Sequence, residues 1–202
     1  MDTLDESVLF GSTVYAIKKP EFLESVIKVS EKYIQADNEP RMTIMSGGFA
    51  HEPEVKDFAQ YVSQTAWNIL KGQGYAMDNL VTYFMEMWTQ THNNHSHMEY
   101  HVHGMGAQLS AFYFLETPEA GCRLVLHDPR PAKVITNLPE QDWANVTPSS
   151  TQIVFSPDAG TLFFSPAWLP HSFSKNMGES PSKFVHMNIG VIAAPQPEVD
   201  VI

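Results

Sequence analysis

The sequence predicts a mainly β protein, a sandwich or barrel of jelly-roll type buttressed by two N-terminal α-helices. Three observations carry this reading. Apolar residues recur at helical spacing only up to about residue 77, beyond Met77 the chain breaks into eight short apolar or alternating runs, and turn chemistry separates those runs at the intervals closed antiparallel folds use. At 202 residues the chain suits one core, so 1–202 reads as a single domain, helical over 1–77 and jelly roll over about 80–192.

Taken in order, Val8 to Ile17 alternates well enough for a short strand. From Pro20 the period changes: Leu23, Val26, Ile27, Val29, Tyr33 and Ile34 form a helical stripe of about four turns that ends before Asn38-Glu39-Pro40, with Pro20 suited to the first turn. Residues 41–52, with Gly47-Gly48, read as a loop. A second helix starts near Pro53, with the stripe Val55, Phe58, Ala59, Val62, Ala66, Ile69 and Leu70, and Gly72 and Gly74 where a cap belongs.

The strands follow at Leu80 to Thr89, Met98 to His103, Gln108 to Glu116, Cys122 to His127, Thr151 to Ser156, Thr161 to Ser165, His171 to Ser174 and Lys183 to Ile192. Turns such as Gly104-Met105-Gly106, Asp128-Pro129-Arg130-Pro131 and Pro157-Asp158-Ala159-Gly160 punctuate them. The stretch 131–150 is poorly patterned, a substrate-covering loop or a plain connector.

Composition excludes several classes of function. With 12 basic and 23 acidic residues the net charge is −11, which disfavours an extended nucleic-acid surface. One cysteine, Cys122, rules out an internal disulfide framework and thiolate metal clusters. No apolar run reaches the roughly 20 residues of a membrane span, and the acidic start is unlike a signal peptide. We therefore expect a cytoplasmic protein. Only three arginines occur, Arg41, Arg123 and Arg130, so an anion pocket must use one of these or a lysine.

Five of nine histidines lie between His92 and His103. On a strand, His101 and His103 share a face with Cα atoms roughly 6.5 Å apart, close enough to chelate one ion. His97, Glu99, His101 and His103 all lie on that face, so several chelating pairs are open, and a polar strand start facing solvent is the bland alternative. A third histidine on another strand, His171, would close a site.

The surrounding motifs bear on the choice. They are His101-Val102-His103, then Leu109-Ser110-Ala111-Phe112-Tyr113-Phe114-Leu115, then His127-Asp128-Pro129-Arg130, then Gly160 through Phe164-Ser165-Pro166-Ala167-Trp168-Leu169-Pro170-His171, and finally Lys183-Phe184-Val185-His186-Met187-Asn188. In that order, over about residues 80–192, they resemble the double-stranded β-helix (cupin-like jelly roll) of the 2-oxoglutarate-dependent Fe(II) oxygenases, and most of all the subfamily common in bacteriophage and marine bacterial sequences.

The resemblance implies Fe(II) as metal, 2-oxoglutarate as cosubstrate, and an oxygenase that hydroxylates a small-molecule or peptidyl substrate with release of succinate and CO2. Prolyl-hydroxylase-like chemistry rests on fold-level analogy alone. His101 and His171 match the family's metal histidines. His103 falls where most of the superfamily has a carboxylate, leaving Glu99 and Asp128 as alternative third ligands. Lys183 matches the basic residue that pairs with the distal carboxylate of 2-oxoglutarate, with help from Arg130 or Tyr113, and Asn188 could bond cosubstrate or substrate. Trp168 and Pro170 read as packing residues, His127 and His186 as satisfied core or rim histidines, and His92, His95 and His97 as entrance residues.

Two other readings stay open. One is a cupin-type metalloenzyme that needs no 2-oxoglutarate, with Gln108 near the position of a cupin glutamate. The other is a non-catalytic jelly-roll binding module.

Overall fold

The computed structural model describes residues 4–36, 43–46 and 48–195; Arg41, Gly47 and the predicted helix end at Asn38-Glu39-Pro40 lie outside them. Two antiparallel sheets face each other, as a jelly roll requires. In chain order the strands are β1 (Tyr15–Lys18), β2 (Thr43–Ser46), β3 (Leu80–His92), β4 (Met98–His101), β5 (Ala107–Glu116), β6 (Leu124–His127), β7 (Gln152–Phe155), β8 (Thr161–Pro166), β9 (His171–Phe173) and β10 (Ser182–Ala193). The larger sheet runs β1-β8-β5-β10-β3-β2 and the smaller β4-β9-β6-β7. All eight predicted strands are present. The predicted N-terminal strand shortens to Tyr15–Lys18, and the loop read over 41–52 contains β2, which pairs with the last residues of β3.

Helices α1 (Leu23–Ala36) and α2 (Lys56–Gly72) cover the outer face of the larger sheet. In α2 the expected stripe, Phe58, Ala59, Val62, Ala66, Ile69 and Leu70, is the buried one. The helix stops where Gly74 takes φ +95°, with Tyr75 N–H donating to the Leu70 carbonyl and Gly74 N–H to that of Lys71. This paired cap favours glycine because a Cβ resists that φ.

Sandwiched between helices and barrel, β5 and β10 are buried on both faces, which is why their sequences read as continuous apolar runs. Alternate residues serve two cores. Leu109, Tyr113, Leu115, Val185, Met187 and Ile189 pack on the helices. Phe112, Phe114, Phe163 and Phe184 instead meet Leu124, Leu126 and Phe173 of the smaller sheet inside the barrel. Among the described residues, no helix is long and apolar enough to cross a membrane.

Candidate metal centre

The register of the smaller sheet sets His101 of β4 directly opposite His171 of β9. β4 ends at His101, one turn of pleat earlier than expected, so His103 leaves the strand, yet its N–H is tied to the Ala167 carbonyl at 2.9 Å. The next turn uses left-handed backbone at Met105 (φ 55°) and Gly106 (φ 98°), closed by Ala107 N–H to the Gly104 carbonyl, and sends the chain back into β5. The three imidazoles therefore converge: one ligand nitrogen from each of His101, His103 and His171 lies within 4.8 Å of the others.

Hydrogen bonding fixes the tautomers of two of them. His101 Nδ1 lies 2.7 Å from the Glu99 carbonyl and His171 Nδ1 lies 3.1 Å from the Leu169 carbonyl. A carbonyl only accepts, so both Nδ1 atoms donate, and each Nε2 carries a free lone pair. The Nε2 atoms of His103 and His171 are buried without a hydrogen-bond partner, the state of a ligand nitrogen awaiting its ion. Burial, with a smaller push from neighbouring imidazoles, lowers the pKa of His171 to about 3 and that of His103 to about 4; Glu86 pulls His103 weakly the other way. Burial outweighs the opposing pulls of the Leu169 carbonyl on His171 and of Glu86 on His103, so the lone pairs stay available at neutral pH. The donor set fits a borderline metal ion such as Fe(II).

Neither alternative carboxylate joins this group among the described residues. Glu99 is exposed and contributes its carbonyl to His101. Asp128 is engaged by Arg130, through Nε at 2.9 Å and Nη2 at 2.7 Å, and by Lys133 Nζ at 2.9 Å. Arg130, first, with Lys133, holds that carboxyl well below the usual carboxylate range.

The four residues expected at the cosubstrate end up in different places. Lys183 alternates with Val185 and Met187 on the helix side and gives its ammonium to Glu116 Oε1 at 2.7 Å. Tyr113 also faces the helices, donating its hydroxyl to the Lys19 carbonyl at 2.7 Å and packing on Phe58. Arg130 is exposed and occupied by Asp128. The structure thus does not bring Lys183, Tyr113 or Arg130 to the imidazoles. For the two strand residues, stepping by one position along a strand changes the face. Only Asn188 is on the barrel side, with Nδ2 donating to Glu86 Oε2 at 2.9 Å and Oδ1 accepting from Ser110 at 3.4 Å.

Two further histidines, His92 and His186, differ from expectation, while His127 meets it. His127 is satisfied, with Nε2 2.9 Å from Ser172 Oγ. His92 is not at an entrance but fully buried, with Gln90 Nε2 at 2.8 Å and Ser96 Oγ at 2.9 Å, and burial lowers its pKa to about 4. His186 is core but not satisfied: its ring lies 4.7 Å from that of His103 and 6.3 Å from that of His171, and its Nε2 has no partner. Its even spacing from Phe184 and Asn188 was the only signal in the sequence. Trp168, read as packing, is half-exposed and lines a cavity of about 430 Å³ with His103, Gln108, Gln73, Tyr75 and Tyr15. A second cavity, of about 410 Å³, lies by Asp128 and Arg130 and has none of the three imidazoles in its wall.

Comparison with known proteins agrees with this geometry. The family described as "Putative 2OG-Fe(II) oxygenase" matches residues 86–184, a segment that contains all three histidines. No curated protein matches the sequence. Among solved structures, AviO1 from Streptomyces viridochromogenes Tue57 is similar at TM-score 0.64 and 11% identity, over 92% of each chain. A prolyl-4-hydroxylase from Pseudomonas putida is similar at TM-score 0.61 and 10% identity, over 88% of this chain and 91% of that one. HygX from Streptomyces hygroscopicus, with nickel and 2-oxoglutarate bound, is similar at TM-score 0.60 and 11% identity, over 89% of this chain and 83% of that one. At such identities the likeness is one of fold, the jelly roll.

Proposed function

On the premise that the chain belongs to the 2-oxoglutarate-Fe(II) oxygenases, the family its residues 86–184 match, we propose that it hydroxylates a small-molecule or peptidyl substrate at a centre held by His101, His103 and His171. Fe(II) and 2-oxoglutarate are the metal and cosubstrate of that family. The observation that carries the reading is the convergence of three imidazoles, two with tautomers set by backbone carbonyls and two with orphaned, buried Nε2 atoms. Bound there, iron and 2-oxoglutarate would let dioxygen act as the oxidant, one oxygen atom going to the substrate and the other into the succinate formed as 2-oxoglutarate loses CO2.

The chain's own part is positioning. His101 and His171 sit on paired strands, so the ladder fixes their spacing, and the Glu99 and Leu169 carbonyls orient their rings. Phe112 lies edge-on to His171, at 5.3 Å between ring centres, and keeps water from the barrel side of the cluster. A set of three imidazoles carries one negative charge less than a set with a carboxylate, so metal affinity leans more heavily on those carbonyl contacts.

The cavity beside His103 is the proposed substrate site. Its wall is made of aromatic rings, amides and backbone, with no charged side chain among the described residues that line it. This favours a neutral molecule or a neutral peptidyl side chain, oriented by Gln73 and Gln108 and packed on Tyr15, Tyr75 and Trp168.

Anaerobic titration of the protein with Fe(II) and 2-oxoglutarate tests the reading. The weak visible charge-transfer band of the chelate is expected in the wild type and absent in His171→Ala. A wild type that takes up Fe(II) but shows no band with 2-oxoglutarate would overturn it in favour of a cupin-type enzyme.

A further inference from the structure

The barrel wall that carries the three imidazoles holds a fourth, His186, for which the reading above has no role. It is 2% exposed, its ring stacks at a tilt on Trp88 at 4.2 Å and on Phe112 at 4.5 Å, and its Nε2 has no hydrogen-bond partner. A buried ring nitrogen left unpaired is costly, and such atoms in folded proteins usually answer to a ligand or a water. His186 is not part of the group whose ligand nitrogens lie within 4.8 Å of one another. With its ring 4.7 Å from that of His103 and 6.3 Å from that of His171, it stands beside an ion held there, within reach of a further ligand of that ion.

The surroundings say what that ligand must find. Lys183 and Arg130 are engaged by Glu116 and Asp128, away from the imidazoles. The barrel-facing positions flanking His186 on β10 are Phe184, packed on Phe173 at 4.4 Å, and Asn188, bonded to Glu86. Neither offers a positive charge. The nearest other ring donor, the Trp88 N–H, is spent on Gln90 Oε1 at 3.2 Å. Among the described buried side-chain atoms of β10, His186 Nε2 is the one without a hydrogen-bond partner.

We propose that His186 is the anchor of the cosubstrate, donating from Nε2 to a carboxylate oxygen of 2-oxoglutarate at the metal centre, the role that the sequence pattern assigns to Lys183. The proposal rests on the oxygenase reading, and it makes the cosubstrate site one of neutral donors instead of a lysine or arginine pocket. A hydrogen bond to a charged acceptor is worth about tenfold to a hundredfold in affinity.

The test uses the full chain loaded with Zn(II), which supports binding without turnover, in wild type, His186→Phe, His186→Gln and Lys183→Ala. Zn(II) affinity is measured first and is expected to agree within about threefold across the set, and 2-oxoglutarate affinity is then read by calorimetry. The expected result is a loss of about tenfold to a hundredfold in His186→Phe, a smaller loss in His186→Gln, which keeps an N–H donor, and no change in Lys183→Ala. If the phenylalanine variant melts well below the wild type, His186→Leu replaces it. Wild-type affinity in His186→Phe or His186→Leu, or a full loss in Lys183→Ala, overturns the proposal. So does loss of Zn(II) from every His186 variant, which would make the residue part of the metal's own support. If the Zn(II)-loaded wild type binds no 2-oxoglutarate at all, the oxygenase reading itself fails, and this assignment with it.

Discussion

The two faces of β10 make a controlled comparison, since they belong to one strand, one hydrogen-bond ladder and one stretch of sequence. On the helix side, Val185, Met187 and Ile189 fill an apolar core, with Lys183 paired to Glu116 and Tyr113 to the Lys19 carbonyl. On the barrel side, Phe184 is followed by His186 and Asn188, and all three orphaned imidazole nitrogens, of His103, His171 and His186, lie on that side. The difference teaches that burial alone does not mark a site here, because both faces are buried. What separates them is where the unpaired ring nitrogens lie: Thr91 Oγ1, opposite Lys183, is unpaired too, but the three unpaired imidazole nitrogens are all on the barrel side.

The comparison can be broken from either face. The largest effect is expected on the barrel side: His171→Ala should lower Fe(II) or Co(II) affinity at least about a hundredfold, read by metal titration, since it removes one of three donors outright. The reverse pattern is expected from Met187→Ala on the helix face. There a cavity should cost about 2–5 kcal/mol in denaturant unfolding while metal affinity stays as in the wild type. Loss of metal from a folded Met187→Ala would erase the distinction between the faces.

The deep barrel side also predicts a pH dependence. His92 has its pKa lowered from 6.5 to about 4 by burial, so the unfolded chain takes up its proton first as the pH falls. Its contribution is therefore intact above about pH 6.5, is lost as the pH falls towards 4, and amounts to at most about 3 kcal/mol. Unfolding of the metal-free protein at pH 7 and pH 4.5 should show that loss, and His92→Gln should shrink it. The smallest effect belongs to Lys183→Ala. Its ion pair with Glu116 is partly exposed, so unfolding should change by no more than about 1 kcal/mol and metal titration not at all.

Much of this was legible from the sequence. The eight strands and the buried stripe of α2 follow from periodicity and turn chemistry, because each is set by local spacing against one core. The gathering of His101, His103 and His171 was legible from a chelating pair plus an ordered set of motifs. The place of Lys183 was not legible because a position in a motif does not fix the face of a strand: β10 pairs without a break with β3 from Ser182 to Asn188, so Lys183 alternates with Phe184 and His186 and falls on the side opposite to them. His186 was passed over because a single histidine in an apolar strand has no local signature, and only its alternation with Phe184 and Asn188 sets it on the inner wall. β2, four residues on a sheet edge, is too short for its pattern to rise above that of a loop.

The pairing of His101 with His171 has a consequence for how the molecule comes to its final state. The two residues are far apart along the chain and meet only when β4 and β9 have found each other. A closure of that length comes late in folding, after the local helices and hairpins. The ion's preferred geometry thus exists only in the finished barrel, so metal uptake draws the equilibrium towards the native form by mass action. Iron supply would then govern how long the protein survives in the cell as well as how fast it works.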